Sequence, residues 1–155
     1  MLKPIIVATV IAGTLDILAA FFFAGRSGMS AGRVLHFVAS GPFGDRALTG
    51  NGFAAVGLFV HYAIMTCMVA AFMLAAVRLP PLLNHPVVAG AAYGLALWFV
   101  MYWIVRPTRW PRLTPSTDPS KIAEELFCHL ILVGIPIALV ARHYLRAPVA
   151  STAVA

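Results

Sequence analysis

Charge is what this chain has least of. Charged residues make up 10% of the 155, where soluble domains carry about 25%. Five carboxylates and eleven Lys or Arg side chains cannot cover the surface of a soluble domain this size, so water is excluded as the main solvent. Cysteine is nearly as scarce. Cys67 and Cys128 are the only two, with no Cys-x-x-Cys spacing, which excludes a disulfide framework or a cysteine-based zinc site. Each reads as a small buried apolar residue. Nucleophile-elbow, phosphate-loop, dinucleotide-fingerprint and zincin motifs are all missing, so an enzyme of the soluble type is disfavoured. The net charge of +6 comes from scattered residues rather than a basic run, which speaks against nucleic acid as a partner.

What fills the chain instead is apolar. Hydrophobic residues reach 61%, and they gather into four stretches of about 4–24, 52–77, 86–105 and 119–144. A hydrocarbon core about 30 Å thick needs roughly 20 apolar helical residues, and each stretch supplies them. The fold class predicted is therefore all-α: a four-helix bundle integral to the membrane, forming one domain over residues 1–147 with a flexible tail at 148–155. The first stretch carries Asp16 and lacks an Ala-x-Ala site, so it reads as a retained span rather than a signal peptide. The bilayer is the first partner implied. A membrane-protein partner or a second copy of the chain is the next.

Between the first two spans, Ser30 stands where a helix cap belongs, before a segment of about 31–39 with mixed polarity. Too short to cross, it is expected to lie at the interface or to re-enter. Residues 40–45 read as a loop. Asn84 or His85 with Pro86, and Asp118 with Pro119, are cap-plus-proline starts for the third and fourth spans. Pro136 predicts a kink. Tyr102, Trp103 and Trp110 with Arg109 and Arg112 read as an interfacial belt of aromatic and cationic side chains. Gly90 and Gly94 allow a neighbouring helix to approach the third span closely.

Three ionisable side chains lie deep within the stretches, and such groups are functional candidates by default. At 1.5 Å per residue, Asp16, His61 and His129 fall roughly 12, 14 and 15 Å below one membrane face. Trp98 lies near the same level and Glu125 one turn above His129. Asp16 and His61 share faces with small residues, so they point at protein. Two histidines and a carboxylate suit a transition metal. Two histidines on different helices can ligate a b-type haem. Asp16 or Glu125 with imidazole can also form a proton path or line a half-channel in a small transporter. Against these stands the structural reading, which carries more weight: a buried Asp needs a hydrogen-bond partner, and a histidine at its depth supplies one. Lys121 is expected to pair with Glu124 or Glu125 at helical spacing.

Several segments in order resemble a group of small bacterial inner-membrane proteins: Gly13-Thr14-Leu15-Asp16-Ile17-Leu18, Arg33-Val34-Leu35 leading to Ala39-Ser40-Gly41, Gly57-Leu58-Phe59-Val60-His61, and His129 through Gly134-Ile135-Pro136-Ile137-Ala138. The arrangement is also similar to the YagU-like membrane proteins, with a histidine in a middle span and another near the start of the last. The resemblance spans about residues 10–145. It implies a four-span bacterial inner-membrane protein with cytoplasmic termini, and no activity. The charge count implies the opposite orientation. Lys3, Arg78, Arg142 and Arg146 lie on the terminal side, while the seven other Lys and Arg lie across from them. The reading taken here follows the resemblance. It makes the protein a binding or accessory membrane component, with a haem- or metal-binding redox protein and a small transporter or channel subunit as alternatives.

Overall fold

The computed structural model describes residues 1–146; the tail expected at 148–155 lies outside them. Four helices are long and apolar enough to cross a membrane: α1 (Leu2–Arg26), α3 (Phe53–Arg78), α4 (Pro86–Arg109) and α5 (Pro119–Leu145). Between α1 and α3 lies the short helix α2 (Ala31–Phe43). The protein is all-α, with the form of a four-span membrane bundle and one helix that does not span.

The starts of the helices follow their caps. The Ser30 hydroxyl accepts a hydrogen bond from the Arg33 amide, and the Asp118 carboxylate accepts one from the Ser120 amide at 2.9 Å. His85 occupies the cap position of α4, but its ring makes no capping bond. Asn84 accepts from Arg146 instead. Pro86 fixes this start without a side-chain cap.

Two expected boundaries move, both at prolines. α2 runs on to Phe43 with Pro42 inside it, where a loop was expected from Ser40. α4 passes through Pro107 to Arg109 rather than stopping near Val105. The backbone just before Pro107 is a π-helical turn, Val100–Val105, and the backbone before Pro136 is a longer one, Phe127–Gly134. Proline cannot donate to the carbonyl four residues back. In both helices the hydrogen bonds widen to a five-residue step just before the proline, so the helix continues. Before Pro136, where a kink was expected, the helix carries this π-helical turn.

Glycine sets how closely the helices approach. A Cβ on Gly94 would fall on the His129 carbonyl oxygen, and one on Gly90 would fall on Gly134. α4 and α5 therefore meet backbone to backbone, antiparallel, with Gly90 opposite Gly134 and Gly94 opposite His129. A Cβ on Gly57 would strike the Leu35 carbonyl oxygen, so α2 lies directly against α3. The core between α1, α3, α4 and α5 is formed by Ala8, Ala12, Met65, Val69, Phe72, Met73, Val133 and Ile137. Cys128 is buried, as expected; Cys67 is exposed on α3, contrary to expectation.

Candidate functional site: a polar layer across four spans

The layer begins where α1 and α3 touch. Gly13 has no side chain, and a Cβ there would press into the Tyr62 ring. In that gap His61 reaches the α1 backbone, and its Nε2 lies 2.9 Å from the Gly13 carbonyl oxygen. A carbonyl oxygen only accepts, so Nε2 carries a proton and donates it. This turns Nδ1 towards Asp16, 4.0 Å from Oδ2; the two side chains are 10% and 22% exposed. That gap is too long for a direct hydrogen bond and short enough for one bridging water or hydroxyl. At the next residue of each helix, Thr14 and the Tyr62 hydroxyl hydrogen-bond at 2.8 Å, a second polar tie between the same helices.

His129 enters from α5, within the π-helical turn. Its Nδ1 lies 3.0 Å from the Glu125 carbonyl oxygen and donates to it, which leaves Nε2 free. Tyr102 of α4 stands edge-on to the imidazole, with ring centroids 5.6 Å apart. Thus α1, α3, α4 and α5 each contribute a polar group.

Above His129 the polar groups continue towards the membrane face. The Glu125 carboxylate accepts from the Trp98 indole at 3.1 Å through Oε2. Its Oε1 forms an internal ion pair with Arg106 at 3.8 Å. The Arg106 guanidinium lies over the Tyr102 ring. Glu124, the other acid here, pairs with Arg26 of α1 at 3.0 Å, so neither acid takes Lys121 as its bridging partner. The α1 and α5 ends lie on one face.

The structure brings Asp16 and His61 together, joins Glu125 to Trp98 by a hydrogen bond, and sets His129 against the Glu125 carbonyl and the Tyr102 ring. Tyr102 and Arg106 were missed as members. Their signal lay in the spacing: Gly90, Gly94, Trp98, Tyr102 and Arg106 recur every fourth residue, opposite Lys121, Glu125 and His129 at the same step. The belt reading fails for part of its set. Trp110 stacks on Phe37 of α2 at 4.4 Å and donates to the Ser40 hydroxyl, while Arg109 donates to the Ser40 and Gly41 carbonyls. Only Trp103 of the three aromatics remains exposed. Among the described residues, no three His, Cys, Asp or Glu side chains stand together as a metal site would require. No family model, curated protein or solved structure matches this chain.

Proposed function

We propose that this is a small multi-pass protein of the bacterial inner membrane, with cytoplasmic termini and a binding or accessory role, related to the YagU-like proteins it resembles. The working part is the polar layer. One observation carries the reading: His61 is fixed by its bond to the Gly13 carbonyl so that its free nitrogen faces the Asp16 carboxylate across 4.0 Å. A gap of that size between two hydrogen-bonding groups admits one small polar group in a site otherwise closed by apolar helix faces. The layer ties α1 to α3 and offers a polar anchor inside the membrane. A double-mutant cycle of Asp16→Asn and His61→Gln, read by thermal unfolding in detergent, tests it. Coupling of about 0.6–2 kcal/mol is expected. Additive effects would remove the basis of the proposal.

A second reading has one observation in its favour. Each histidine gives one ring nitrogen to a backbone carbonyl and keeps the other free, as metal-bound histidines do. An absorption spectrum with metal analysis of the purified protein separates the two. A haem band or a stoichiometric metal lost in His61→Ala and His129→Ala would establish the cofactor reading. A colourless, metal-free protein that retains the coupling would favour the binding role.

A further inference from the structure

Three buried side-chain polar atoms among the described residues have no hydrogen-bond partner: Thr9 Oγ1, His36 Nδ1 and Arg106 Nε. Arg106 also lines a cavity, one of about 340 Å³ between the end of α4 and the start of α5. Lys121, from the first turn of α5, lines it as a second cation. Thr114, Ser116 and Thr117 of the connecting loop supply hydroxyls.

The charges around this cavity are unequally satisfied. Both acids that line it are engaged. Asp118 accepts from the Ser120 amide, and Glu125 accepts from Trp98. The cations keep capacity to spare. Arg106 has its ion pair with Glu125 and its place over the Tyr102 ring, but at 3.8 Å that pair is beyond hydrogen-bond reach and its Nε has no partner. Lys121 is exposed and makes no ion pair among the described residues. Guanidinium, ammonium and clustered hydroxyls together form a donor set suited to a tetrahedral oxyanion.

We propose that this cavity between α4 and α5 binds a phosphate-bearing group, held by Arg106 and Lys121 with the loop hydroxyls. Its position at the ends of two spans puts it at headgroup depth, where a phospholipid presents such a group. A soluble phosphate compound presents the same chemistry from the aqueous side. The site is separate from the Asp16–His61 pair and does not depend on that reading.

Native mass spectrometry of the full chain, released from nanodiscs of phosphatidylglycerol and phosphatidylcholine, tests the proposal alongside calorimetric titration with inorganic phosphate. Binding of either probe should weaken by about tenfold or more in Lys121→Gln and in Arg106→Gln, and stay unchanged in Arg78→Gln, an exposed cation at the far end of α3. Retained phospholipid that inorganic phosphate does not displace assigns the site to a headgroup. Displacement, or phosphate binding to delipidated protein, assigns it to a soluble ligand. Should Arg106→Gln fail to fold through its contacts with Glu125 and Tyr102, the exposed Lys121→Gln decides alone. If Lys121→Gln retains both probes as the wild type does, or if the wild type binds neither, the proposal is overturned.

Discussion

Glycine, not a charged residue, fixes the position of His129. A Cβ on Gly94 would overlap the His129 carbonyl oxygen, so the α5 backbone at that point can approach α4 only because residue 94 has no side chain. Gly94→Ala should push the helices apart, at a cost of about 1–3 kcal/mol or more, since backbone cannot rearrange as a side chain can. Differential scanning fluorimetry in detergent reads this as a lowered Tm. An unchanged Tm would mean that the two helices do not meet there. Residue-level chemistry in the sequence revealed most of this site. Counting helix rise was enough to bring Asp16 and His61 to one level, because rise per residue is nearly constant. Tyr102 was read as interfacial and Arg106 was not singled out because Pro107 is ordinarily a helix stop, and the π-helical turn that carries α4 past it leaves no plain mark in composition.

Among the elements, α2 depends on its contacts more than on its own sequence. In its last turn the Gly44 amide donates to the Ser40 carbonyl, and Arg109 of α4 adds donors to Ser40 and to Gly41. The cation also sits at the negative end of the α2 dipole. Arg109→Gln should release the C-terminal turn of α2 at a cost of about 1–3 kcal/mol, the range for hydrogen bonds to a charged group. Hydrogen exchange should then rise at residues 38–44 while α1 and α3 stay protected. Uniform protection would show that α2 is held by Gly57 and Leu35 alone. This docking was not legible because its partners are 64–70 positions apart in sequence. The start of α2, by contrast, was legible from Ser30, since capping is local.

For the whole molecule, two ties across spans fix which ends share a face. Arg26 meets Glu124, and Arg109 meets the end of α2, so the α1–α3 connection and the α4–α5 loop lie together. Reporter fusions at Pro81 and at the C-terminus should therefore report one side of the membrane, and a fusion at Thr114 the other. A Pro81 fusion on the same side as Thr114 would contradict four spans. Composition alone established four apolar helices, since no other solvent suits a chain with so little charge. It could not establish how they associate, because that depends on which glycines face which backbone.

The central claim is that Asp16, His61 and His129 form one layer, with the two histidines held in opposite tautomers. Nitrogen-15 NMR of imidazole-labelled protein in nanodiscs tests this directly, comparing wild type with Asp16→Asn. The structure predicts a proton on Nε2 of His61 and on Nδ1 of His129, with His61 Nδ1 shifting when the carboxylate is neutralised. Identical tautomers, or a His61 signal indifferent to residue 16, would contradict it.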